Sequence, residues 1–139
     1  MGAPGAPPVM GGAAPPPPVQ PASSGMTDNV AGALCYLAGL ITGELFLALA
    51  PYNQSKFVRF HAFQSIFFNV AWIGLWIAEM IVSMILASIL PFGMHLLFSL
   101  LALVISLGGF LVWLLLLYKA YSNEKFMLPI IGALADKQA

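Results

Sequence analysis

Between Arg59 and Lys119 the chain carries one formally charged residue, Glu79, in an otherwise almost unbroken apolar run. A soluble fold needs charged faces for water, and this stretch supplies none, so it points to a bilayer as its solvent. Composition agrees, because 60% of the 139 residues are apolar and only 7% are charged. The length leaves room for one domain. A formal net charge of zero gives no reason to expect nucleic acid as a partner.

About 20 apolar residues are needed to cross a hydrocarbon layer of roughly 30 Å. Three blocks reach that length, at about 29–50, 61–90 and 94–118. Pro51 and Asn53 stop the first, Pro91-Phe92-Gly93 the second, and the charged segment from Lys119 the third. The expected fold class is therefore all-α. It is a three-span transmembrane helical bundle over residues 28–120, with a disordered Pro/Gly/Ala-rich tail (1–27) and a cytoplasmic interfacial tail (121–139). The first 26 residues hold eight of the eleven prolines and no charge, a composition of disordered or polyproline-II chain. They lack the basic start and leucine-rich centre of a secretory signal. Their "PPPP" is compositional, although such a run also suits an SH3-like groove.

Lys and Arg set orientation because they resist translocation. With three spans, Lys56, Arg59, Lys119, Lys125 and Lys137 all fall on one side. The expected location is the prokaryotic cytoplasmic membrane, multi-pass, with the N-terminus outside and the C-terminus cytoplasmic. The competing reading makes "GLITG" a break, so that the first block re-enters as a hairpin and both termini are cytoplasmic.

Ala31, Cys35, Gly39 and Gly43 recur every four residues, a nearly bare ridge in which Gly39 and Gly43 form a GxxxG pair for close helix packing. The partner is either another span of the same chain or a second copy. Cys35 is read as a small packing residue, since one cysteine forms no internal disulfide. In the second block His61, Ser65, Phe68, Trp72, Trp76, Glu79 and Ser83 share one sector. In the third, His95, Ser99, Ala102, Ser106, Gly109 and Trp113 do. These two faces are expected either to pack together or to flank a narrow polar path.

An acid at mid-membrane depth is costly unless neutral or paired, which makes Glu79 a functional candidate ahead of Glu44 and His95. No HExxH, GxSxG or phosphate-binding loop is present, and no cofactor, metal or enzymatic activity is expected. The doorway of the second block, "KFVRFHAFQS", raises a different possibility. Lys56 and Arg59 suit lipid phosphates. His61, Gln64 and Ser65 suit a polar cluster joining the 51–60 loop to the Tyr118–Tyr121 exit of the third span. The tail, with Leu128, Ile130, Ile131 and Leu134 around Pro129, reads as a short amphipathic segment at the interface or beneath the bundle.

"RFHAFQS" (59–65), Asn29, Gly39 and Gly43, Tyr118-Lys119-Ala120-Tyr121 and "LPIIG" (128–132) together resemble a prokaryotic family of small multi-pass membrane proteins of unknown function. That family is distantly similar to the Tic-twenty channel component of the chloroplast import machinery. The resemblance covers about residues 28–137 and implies a non-enzymatic channel-like or scaffold subunit. The lipid bilayer is the expected partner, with a homo-oligomer or another membrane protein beside it. The alternatives are a small ion- or proton-coupled transporter using Glu79, and an intramembrane enzyme.

Overall fold

The computed structural model describes Gly5 and residues 25–139, so most of the proline-rich tail lies outside the described residues. The described elements run α1 (Asp28–Leu37), α2 (Leu40–Ala48), a 3-10 turn (Tyr52–Gln54), α3 (Lys56–Ile89), α4 (Phe92–Tyr121) and α5 (Ile131–Gln138). Two of them, α3 and α4, are long and apolar enough to cross a membrane.

The first apolar block is not a third long helix. It breaks at Ala38-Gly39 into helices of 10 and 9 residues, each about 15 Å long and so about half of what a span needs. Gly39 has φ +57°, a conformation that a side chain strongly disfavours. A Cβ there would also lie 2.6 Å from the Asn69 carboxamide of α3. One glycine therefore permits both the turn and the close approach. After the turn α2 leads back to the end from which α1 set out. The Met26 amide donates to the Tyr52 hydroxyl at 2.8 Å, Ser55 donates to Asp28 at 2.6 Å, and Asn29 Nδ2 donates to the Tyr121 carbonyl at 2.9 Å. The start of α1, the start of α3 and the end of α4 thus form one end of the molecule. This replaces the expectation that residues near 29 and near 121 lie on opposite sides.

Around that end the helices build a compact head. Ala31 and Cys35 of α1 pack with Phe46 of α2 and with Val58 and Ala62 of α3. On another face of α1, Ala33 and Tyr36 pack with Leu116 and Ala120 of α4. The ridge of small residues is thus divided between two helices. Gly43 still serves close approach, since a Cβ there would lie 2.8 Å from Ile66 and 3.1 Å from the Ala62 carbonyl.

Ser55 caps α3, accepting from the Val58 amide at 3.4 Å. The helix then runs 34 residues to Ile89, where Pro91, which has no N–H to continue it, turns the chain into α4. Beyond the head, α3 and α4 continue as a hairpin in which no residue from Val70 to Leu115 is buried. The C-terminal tail folds back as α5 against α3, burying Gly132 and Ala135 and leaving Ile130 and Leu134 exposed.

Candidate functional site

A helix that ends inside a membrane protein leaves carbonyls without partners, and hydrocarbon offers none. Here the orphan groups at the end of α1 are met from three directions. Ser65 of α3 donates to the Cys35 carbonyl at 2.7 Å, with the Gly39 carbonyl at 3.4 Å. Thr42 of α2 donates to the same Cys35 carbonyl at 2.9 Å and accepts from the Ala38 amide at 3.3 Å. Trp113 of α4 donates from its indole to the Tyr36 carbonyl at 2.8 Å. A carbonyl has two lone pairs, so Cys35 can accept from both hydroxyls.

One turn nearer the open end of α3 lies a second buried group. Gln64 Nε2 donates to the Tyr36 hydroxyl at 3.2 Å and to the Phe126 carbonyl of the tail at 3.0 Å. His61 Nδ1 lies 3.1 Å from the same hydroxyl. Gln64 uses both amide protons, which leaves the Tyr36 proton for Nδ1 and assigns the ring proton of neutral His61 to Nε2. His61 and Gln64 are 1% and 0% exposed, yet His61 Nε2 and Gln64 Oε1 have no hydrogen-bond partner among the described residues.

The remaining residues expected at the doorway are spread around this core. Arg59 is half-buried and donates to the Gln138 carbonyl at the end of α5 at 3.0 Å. Lys119 pairs with Glu124 at 2.6 Å. Lys125 sits over the Phe60 ring at 4.7 Å and pairs with Asp136. Tyr118 is 63% exposed and takes no part in the cluster, because its place against α1 is taken by Leu116 and Ala120 on the neighbouring face of α4. The contacts that tie α1 and α3 to the α4 exit and the tail are instead those of Asn29, Tyr36 and the Phe126 carbonyl.

Sequence reasoning missed Tyr36, Thr42 and Asn69. Each is a lone polar group within an apolar block, and each matters only once the break at Gly39 is known. Asn69 faces that glycine and donates to the Ser65 carbonyl at 2.8 Å.

Glu79 stands apart from the head, half-buried in the crevice between α3 and α4. The two polar sectors face one another there. Ser83 Oγ and His95 Nε2 are 3.2 Å apart near the turn, and the Trp72 ring fills the notch left by Gly109, where any added methyl would overlap it. Among the described residues no three His, Cys, Asp or Glu side chains gather as a metal set.

The family model described as the magnetosome magnetite crystal formation protein family matches residues 27–135. A UPF0132 membrane protein of Methanocaldococcus jannaschii is 43% identical over 115 residues, 83% of this chain and 91% of its own. One from Archaeoglobus fulgidus is 43% identical over 113 residues, 81% of this chain and 96% of its own. No solved structure matches the chain. The family of small prokaryotic membrane proteins expected from the sequence is thereby identified, whereas the further likeness to the Tic-twenty component gains nothing from these matches. With the family model spanning most of its length and two relatives at 43% identity, this multi-pass membrane protein belongs to the magnetosome magnetite crystal formation protein family and is similar to archaeal UPF0132 membrane proteins.

Proposed function

We propose that this chain is a non-enzymatic scaffold subunit of the prokaryotic cytoplasmic membrane that assembles with further copies of itself through the α3–α4 hairpin, with both termini on the cytoplasmic side. The observation that carries the reading is a pair of glycines with no packing partner among the described residues. Gly74 and Gly108 each stand seventeen residues from Pro91, and a Cβ at either would meet nothing within 4 Å. Glycine weakens a helix interior by about 1 kcal/mol relative to alanine. In a bilayer, where helices do not associate by hydrophobic effect, small residues instead let a neighbouring helix approach closely. The head, by contrast, spends Gly39 and Gly43 on its own packing.

Channel-like behaviour, which the likeness to an import component implies, belongs on this reading to the assembly, since a single two-helix hairpin encloses no path. The test is subunit counting by photobleaching of labelled protein in lipid bilayers. The wild type is expected to form oligomers, and Gly74→Leu with Gly108→Leu to shift them to monomers while the thermal stability of the head is kept. A monomeric wild type, or unchanged oligomers in the double variant, overturns it.

A further inference from the structure

Glu79 is the one formal charge between Arg59 and Lys119. The unburied part of α3, residues 70–89, rises about 30 Å, close to the thickness of a hydrocarbon core. Glu79 falls near its middle, and among the described residues no side chain bonds to or pairs with its carboxylate. An acid at that depth is tolerated when it is neutral or when something of opposite charge meets its carboxylate. The five Lys and Arg side chains cannot do so, because all lie at the head end or in the tail, and His95, which borders one cavity with Glu79, is engaged by Ser83 at 3.2 Å.

The surroundings of Glu79 narrow the chemistry of what could. Cavities follow the α3–α4 crevice from Asn69 and Trp113 near the head to His95 near the turn, and Glu79 borders three of them. On one side of the carboxylate the walls are Trp72 and Trp76. On the other, a cavity of about 340 Å³ reaches Ser83 and His95. Indole faces attract cations, most strongly those without a tight hydration shell. The oxygen donors here are one carboxylate and the Ser83 and Ser106 hydroxyls, whereas a hard ion such as calcium takes about six to eight. The walls between these groups are aliphatic, with Leu75, Ala102 and Ile105 among them.

We propose that the α3–α4 crevice is a binding site for one lipophilic organic monocation, of the quaternary ammonium or phosphonium class, with Glu79 as counter-ion and Trp72 and Trp76 as aromatic walls. The charge of Glu79 selects the cation, and the tryptophans and aliphatic walls select an apolar, weakly hydrated one. The site is built by one hairpin and does not depend on self-association.

Equilibrium dialysis of radiolabelled tetraphenylphosphonium against the full chain in lipid nanodiscs tests this, with neutral triphenylphosphine oxide as the control. Saturable binding of about one cation per chain is expected. Glu79→Gln should weaken it at least tenfold, Glu79→Asp should retain most of it, and Trp76→Leu should weaken it severalfold. Partition of the neutral compound should be the same in all four proteins. Because Glu79→Gln keeps the shape of the side chain, an unchanged circular dichroism spectrum will certify its fold. Non-saturable uptake, equal affinity in wild type and Glu79→Gln, or a neutral compound bound as tightly as the cation overturns the assignment.

Discussion

Arg59 and Lys56 lie three residues apart at the start of α3, and their surroundings assign them different work. The Arg59 guanidinium reaches a specific acceptor, the Gln138 carbonyl, whereas Lys56 is exposed and has no hydrogen bond or ion pair among the described residues. A planar fork is not replaced by a point charge, so Arg59→Lys should lower the melting temperature of the detergent-solubilised protein measurably, and Lys56→Gln should not. Gln64→Leu should cost more, about 1–3 kcal/mol, because it leaves the buried Tyr36 hydroxyl and Phe126 carbonyl without their donor. Equal and negligible effects in a thermal-shift series would reduce the doorway to a lipid anchor. Polar residues crowding the start of an apolar helix already suggested such a cluster. The identity of the partners was not legible, because Tyr36 sits 28 residues away from Gln64 and Phe126 sits 62 away, and no local pattern encodes that pairing.

The same limit operates on the elements. Hydropathy and proline placement locate α3 and α4 to within a few residues, since each is one uninterrupted helix whose ends carry their own stop signals. They misjudge the first block, because an apolar window cannot register whether a break in the helix is satisfied by side chains elsewhere. Ser65, Thr42 and Trp113 supply those bonds from three different helices, and only their convergence makes a turn at Gly39 affordable. The turn is thus the element most sensitive to one change. Gly39→Ala forces a side chain into φ +57° with ψ −107°, at about 1–3 kcal/mol for the backbone alone, and drives its Cβ against Asn69. We expect a larger loss of thermal stability than for Gly93→Ala, whose added Cβ meets nothing within 4 Å. Pairing Gly39→Ala with Asn69→Ala should recover the steric part and not the backbone part. Equal melting temperatures for Gly39→Ala and Gly93→Ala would show that the turn carries no such constraint.

For the whole molecule, the number of crossings decides where the first residues lie. Lys56, Arg59, Lys119, Lys125 and Lys137 all gather at the head end or in the tail folded onto it, and the proposed topology puts that end toward the cytoplasm, as the positive-inside bias favours. An odd number of spans then sends the N-terminus across, and an even number keeps it with the cations. With α1 and α2 turning back and α3 and α4 long and apolar enough to cross, the proposed arrangement takes the even count. The outward side of the α1–α2 hairpin carries Leu37, Ile41, Leu45 and Leu49, four exposed apolar residues at intervals of four, which suits an element that dips into lipid without crossing. At about 51 Å, α3 exceeds the hydrocarbon layer by about 20 Å, and the first fourteen residues of that helix are the ones built into the head. Single cysteines placed at Thr27, Gly93 and Ser122 test this arrangement, because all three positions are exposed and the native Cys35 is fully buried. In intact cells an impermeant thiol reagent should label Gly93→Cys alone, and permeabilised cells should show labelling at all three. Labelling of Thr27→Cys without Ser122→Cys would restore three crossings, and labelling of Thr27→Cys and Ser122→Cys without Gly93→Cys would invert the protein in the membrane.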